Sequence, residues 1–198
     1  MAGSRWASPL DSIFLMGETN ETLMHVASML HLSLPKDAGP EFLPDLVAAL
    51  RASPIESPWN LRLQTRMLMR QPVHRWVEDD EFDIDYHVRH QTLRKPGTRV
   101  QLEQLVGRLH SLLLDRSRPL WEIYVIEGLE DGRVAVYVKA HHSGIDGKAG
   151  IELSKIIYDT SPQPEAARPR QRLPMAAGPA AGRAVGRAVA HPVGMAAL

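Results

Sequence analysis

An α/β domain is the fold class this sequence predicts, and three observations predict it. Residues 98–114 repeat apolar side chains at helical spacing, and residues 121–127 and 133–141 alternate like two strands joined by a tight turn. Residues 139–150 then pass from the second strand, through a turn carrying histidine, aspartate and glycine, into another periodic apolar stretch.

In chain order, Pro9-Leu10-Asp11 reads as a turn, and residues 21–32 (ETLMHVASMLHL) fit a strand or a short helix, with the strand preferred. Residues 40–51 place Phe42, Leu43, Leu46, Val47 and Leu50 on one helical face, with Pro40 in a tolerated first-turn position. Between 52 and 97 proline, tryptophan and charge dominate, and only 61–69 and 83–90 look extended. From 98 to 114 Thr98 can cap a helix whose Leu102, Leu105, Val106, Leu109, Leu112 and Leu113 share a face. The strands 121–127 and 133–141 flank GLEDG, whose Asp131-Gly132 pair predicts an antiparallel hairpin. A helix is expected from 146 to 158, with Ala149, Leu153, Ile156 and Ile157 on one side; Pro162 and Pro164 stop it.

With 44% hydrophobic and 23% charged residues, the chain can build one sizeable core, so one domain with an appendage is expected. The division falls near residue 162: residues 1–162 form the lobe, and 163–198, dominated by Pro, Gly, Ala and Arg, form a linker. There is no cysteine, which excludes disulfides, thiolate metal sites and a cysteine nucleophile. The 23 acidic and 23 basic residues balance, but 163–198 holds five arginines and one glutamate, which places any basic contact surface in the tail. A balanced body argues against nucleic acid as the main partner. No apolar run approaches the roughly 20 residues of a membrane span, and the N-terminus lacks the apolar core of a signal peptide. A cytoplasmic protein, soluble or peripheral to membranes, is expected.

The candidate chemistry lies in KAHHSGIDGKAG (139–150). Along the preceding strand Val134, Val136, Val138, Ala140 and His142 share one face, while Arg133, Tyr137, Lys139 and His141 share the other, so His142 is expected to follow the apolar face inward. Partial burial disfavours a charged imidazole, and a neutral one can accept a proton from an attacking hydroxyl, which makes His142 the candidate general base. Gly144 and Gly147 let a substrate approach the backbone closely, and Asp146 sits where it favours a helix dipole and can orient its neighbours. A structural histidine is the alternative. A site in which both histidines and Asp146 bind a metal is disfavoured, because adjacent strand residues point to opposite faces, and no metal is expected.

HHSGIDG (141–147) also fits the HHxxxDG motif of the CoA-dependent acyltransferase superfamily, which peptide-synthetase condensation domains and acetyltransferases share. Its wider context, SPLDSIFL (8–15), MHV (24–26), WVEDDEFDIDYHVR (76–89), LDRSRPLWEIYVIEGL (114–129) and KAHHSGIDG (139–147), resembles the bacterial wax ester synthase/diacylglycerol acyltransferase family, in order, over most of residues 8–160. The resemblance implies a chloramphenicol-acetyltransferase-like lobe, a mixed β-sheet packed with helices, that pairs with a missing C-terminal lobe around a substrate tunnel. It implies His142 as base, His141, Asp146 and Gly147 as motif support, and acyl-CoA as substrate with no further cofactor. The implied acceptor is a diacylglycerol or a long-chain alcohol, and the insoluble products imply peripheral contact with membranes or lipid droplets. Two other functions fit the same residues: a condensation-type domain using carrier-protein thioesters, and a non-catalytic lobe that binds lipid or a partner.

Among the remaining residues, Pro119-Leu120-Trp121 is expected to be a packed strand entry, Asp115, Arg116 and Arg118 a salt-bridged turn, and His25 a packed histidine.

Overall fold

A computed structural model of the chain describes residues 4–55 and 57–144 and the backbone of 196–197. The helix expected at 146–158 and nearly all of the 163–198 segment lie outside the described residues.

After a two-residue strand β1 (Arg5–Trp6), helix α1 (Pro9–Gly17) occupies the stretch read as a turn. Ser8 Oγ accepts the Asp11 N–H at 3.0 Å, the Asp11 carboxylate accepts the Ser8 N–H at 2.9 Å, and Pro9 opens the helix. Such a capping box with proline at the first helical position is a start signal as much as a turn signal.

β2 (His25–Ser33) confirms the strand preferred for 21–32, and α2 (Phe42–Ala52) buries Leu43, Leu46 and Val47 as the spacing predicts. β3 (Leu61–Leu68) and β4 (Gln71–Glu78) form a hairpin. β4 lies in the stretch where proline, tryptophan and charge dominate and was not expected; Pro72 would ordinarily argue against a strand. Yet Pro72 pairs with Met67 near the turn, beyond Arg75 and Trp76 where β1 joins, so its missing N–H faces no third strand.

The extended stretch expected at 83–90 splits in two. Asp83 accepts the N–H groups of Asp85 (3.0 Å) and Tyr86 (3.4 Å) and caps one turn, α3 (Ile84–His87), before β5 (Val88–Thr92). Helix α4 (Arg99–Ser111) opens with a Thr98–Gln101 capping box and ends before Leu112 and Leu113, which the periodicity had included. β6 (Trp121–Glu127) and β7 (Val134–His141) form the expected antiparallel pair, with Gly132 at φ 74°, where a side chain would be strained.

The strands make two sheets, β1-β4-β3 and a mixed five-stranded β5-β6-β7-β2-β8, where β8 is Ala196–Ala197. β5 runs parallel to β6 and the other neighbours are antiparallel. Helix α4 covers one face of the larger sheet, with Leu102 and Leu109 against Tyr124, Ile126, Ala135 and Tyr137. Helix α2 covers the other, with Leu43, Leu46 and Val47 against Val125 and Val134. This is the α/β, helix-packed mixed sheet that was expected. Among the described residues no helix is long and apolar enough to cross a membrane.

Candidate active site

β7 carries the two histidines to the end of the larger sheet, beside the start of β2, where His25 pairs with His141 and Val26 with Ala140. His141 belongs to the α4-covered face with Ala135, Tyr137 and Lys139, and it is fully buried. That face is not a solvent face. Lys139, also buried, closes the C-terminal end of α4 by donating to the carbonyls of Leu109 and Leu112, both at 2.9 Å, and lies 3.5 Å from the Glu122 carboxylate.

His142 is the first residue past the strand and is half-buried, in keeping with the partly buried imidazole expected at the end of the apolar face. Its N–H donates to the Met24 carbonyl at 2.8 Å, which pins the backbone. Its ring lies flat on Phe14 of α1, centroids 4.4 Å apart and planes 9° apart, which pins the side chain. Its Nδ1 is buried with no hydrogen-bond partner among the described residues.

A second set of contacts holds the turn. Ser143 N–H donates to His141 Nδ1 at 3.1 Å, and Ser143 Oγ lies 2.7 Å from the same nitrogen. With Nδ1 occupied as an acceptor, the proton of neutral His141 resides on Nε2. That nitrogen faces Glu18 Oε1 at 3.3 Å. Glu18 directly follows α1, and its side chain is only 2% exposed. It accepts from Arg116 Nη2 (3.0 Å), Arg116 Nε (3.3 Å) and the Met24 N–H (3.3 Å), while Arg116 Nη2 also donates to the Leu15 carbonyl at 2.6 Å. One buried carboxylate thus joins α1, the entry to β2, the turn before β6 and the first motif histidine.

The residues singled out in the sequence are brought together only in part. His141 and His142 sit at this end of the sheet, while Asp146 and Gly147 lie outside the described residues. Arg116 reaches across to Glu18, and the rest of its turn is salt-bridged as expected: Asp115 accepts from Ser117, and Arg118 lies 3.8 Å from both Asp115 and Asp83. Leu120 and Trp121 are buried at the strand entry. His25 is packed, its Nε2 donating to the His110 carbonyl at 2.8 Å. Phe14, Glu18 and Ser143 were not foreseen. Among the described residues no group of three or more His, Cys, Asp or Glu is placed to hold a metal ion. Two surface clefts, one beside Arg75 and Asp79 and one beside Leu93 and Pro96, include neither motif histidine.

Burial pulls the imidazole of His141 below its usual pKa, against the raising influence of Glu18. His25, His74 and His87 are lowered as well, each chiefly by burial. A group that binds its proton less readily when folded contributes stability that is complete above the unfolded pKa near 6.5 and is lost as pH falls through the folded value. Urea unfolding should therefore show stability level above pH 7 and falling between pH 6.5 and 5, by about 1.4 kcal/mol per pH unit for each extra proton the unfolded chain takes up. A flat profile across that window would contradict the buried, neutral assignment.

The lobe of mixed sheet and helices is shared with solved acyl-transfer and condensation domains. The chain superimposes on a wax ester synthase/diacylglycerol acyltransferase from Marinobacter aquaeolei with a TM-score of 0.72 and 36% identity, covering 80% of this chain and 39% of that one. The first condensation domain of the calcium-dependent antibiotic synthetase matches with a TM-score of 0.55 and 17% identity, over 75% of this chain and 36% of that one, a likeness of fold alone. The model of the wax ester synthase/diacylglycerol acyltransferase catalytic domain matches residues 7–198, and the chain belongs to that family.

Among its relatives, a Mycobacterium tuberculosis protein that carries the name diacylglycerol O-acyltransferase is 44% identical over 159 residues, 80% of this chain and 32% of the relative. O-acyltransferase WSD of Acinetobacter baylyi is 40% identical over 148 residues, 73% of this chain and 30% of the relative. The chain spans about a third of the length of these curated relatives.

Proposed function

We propose that this chain supplies the histidine-bearing lobe of an acyl-CoA-dependent O-acyltransferase, with residues 1–162 as the lobe and 163–198 as the linker toward a second, C-terminal lobe. The observation that carries the reading is the setting of His142: its backbone is tied to Met24, its ring is held flat against Phe14, and its Nδ1 has no partner among the described residues. An imidazole fixed in place with spare hydrogen-bonding capacity suits a general base. His142 takes the proton of the acceptor hydroxyl as its oxygen attacks the thioester carbonyl. The C–S bond then breaks, the acyl group stays on the acceptor oxygen, and the proton passes to the departing CoA thiolate, so that no acyl-enzyme forms.

The names of the relatives favour a diacylglycerol or a long-chain alcohol as acceptor, and the HHxxxDG resemblance favours a fatty acyl-CoA as donor. His141 acts indirectly in this scheme, holding the turn through Ser143, and Asp146 and Gly147 complete the motif. Contact with membranes or lipid inclusions from the cytoplasmic side follows from such substrates.

The test is release of free CoA from palmitoyl-CoA, with hexadecanol or a diacylglycerol as acceptor, by the chain alone and by the chain mixed with the C-terminal lobe of a relative. Transfer that appears only with both lobes is the expected result. No transfer from a pair shown to associate would overturn it and favour a lobe that binds lipid without turning it over.

A further inference from the structure

The hairpin of β3 and β4 ends in a projection that the lobe does not use. Every residue from Thr65 to Gln71 is exposed. At its tip Met67, Leu68 and Met69 are 69%, 59% and 91% exposed. Three consecutive large apolar side chains held in water are an arrangement that folding alone does not favour. The turn itself adds to the anomaly. Met69 and Arg70 both have positive φ, 49° and 66°, in a two-residue turn where Asn-Gly is the unstrained choice. Local rules of turn and surface chemistry fail together at this point, as they do where a surface has been shaped for contact.

The charges indicate what the contact is. From Leu61 to Val77 the hairpin contains Arg62, Arg66, Arg70 and Arg75 and neither aspartate nor glutamate. Arg62 pairs with Asp79 at the base, and Arg75 lies over Trp6. Arg66 and Arg70 flank the apolar tip and form no ion pair among the described residues. Basic contact surface is therefore not confined to the tail, as total charge had suggested. An apolar tip between two guanidinium groups matches the boundary of an anionic bilayer, where side chains enter the acyl region and cations meet phosphates.

We infer that the Met67-Leu68-Met69 tip inserts into anionic lipid, with Arg66 and Arg70 on the headgroups, and so docks the lobe on the phase that holds its lipid acceptor. The purpose rests on the acyl-transfer reading. The docking is read without turnover, so either can fail alone.

The test uses the full chain and vesicles of phosphatidylcholine with or without about 30% phosphatidylglycerol. Because the chain has no cysteine, Met69→Cys takes a single environment-sensitive fluorophore at the tip. Its emission should shift to the blue on adding the anionic vesicles. The triple change Met67→Ser, Leu68→Ser and Met69→Ser should weaken co-sedimentation at least about tenfold with the melting temperature unchanged, because the replaced side chains are exposed. Arg66→Gln with Arg70→Gln should cost about fivefold per arginine on anionic vesicles and little on neutral ones. No vesicle binding by the unaltered chain, or binding that survives the triple change, would overturn the inference. So would a blue shift produced by a C-terminal lobe in the absence of lipid, which would make the tip an inter-lobe contact.

Discussion

On the proposed mechanism, replacing His142 with alanine should lower turnover of the chain paired with a C-terminal lobe by about 100- to 10,000-fold, the range that a positioned general base supplies, while the lobe stays folded. Both halves of that expectation follow from the geometry. The contact that ties this residue into the fold is its backbone N–H to Met24, which alanine keeps. What alanine loses is the flat stack on Phe14, worth about 0.5–1.5 kcal/mol. His141→Ala is the contrasting variant. His141 is fully buried and receives both donors of Ser143, so its loss leaves a cavity and an unpaired N–H in the turn and should show first in stability. The decisive measurements are kcat and urea unfolding on both variants. Full turnover by His142→Ala would remove the base from the proposed mechanism; loss of folding by that variant would make the histidine structural.

Much of this architecture was legible because it rests on local signals. The Thr98 cap and leucine spacing gave α4, Asp131-Gly132 gave the β6–β7 turn, and valine alternation gave β7. Where prediction failed, one local signal had two meanings. Ser8-Pro9-Leu10-Asp11 serves equally for a turn and for a capped helix start, and only the apolar contacts of Leu15 with Trp76 and Leu120 decide for the helix. Pro72 argues against a strand unless the neighbouring strand is known to stop short of it.

Of the candidate site, the sequence pointed only to the HHSGIDG segment, for a related reason. Arg116 meets Glu18 across 98 residues of chain, and His141 meets it from a strand on the far side of the sequence. Nothing near Glu18 in sequence announces either partner. Alternation correctly separated His141 from the valine face but not which face lay deeper, because that depends on α4 and on Lys139 closing its end.

Glu18→Ala should cost about 2–4 kcal/mol of stability, and it should lower turnover although Glu18 touches no reacting atom. The carboxylate is buried and held by three donors, two from Arg116 and the Met24 N–H, with His141 Nε2 3.3 Å away. Removing it leaves the Met24 N–H without an acceptor and takes away the charge 3.3 Å from His141 Nε2; Arg116, 40% exposed, can turn to water, which holds the cost below that of a fully buried pair. Met24 also supplies the carbonyl that pins His142, so the disturbance reaches that histidine through one residue. Glu18→Gln separates positioning from packing. It fills the same volume, but its amide N–H₂ must face one of these donors, so stability should largely recover while turnover does not. The readout that bulk alone would not move is the tautomer of His141. Nitrogen-15 NMR should show the Nε2–H form in the unaltered chain and a mixed population in Glu18→Gln. An unchanged tautomer together with unchanged kcat would reduce Glu18 to a structural ion pair with Arg116.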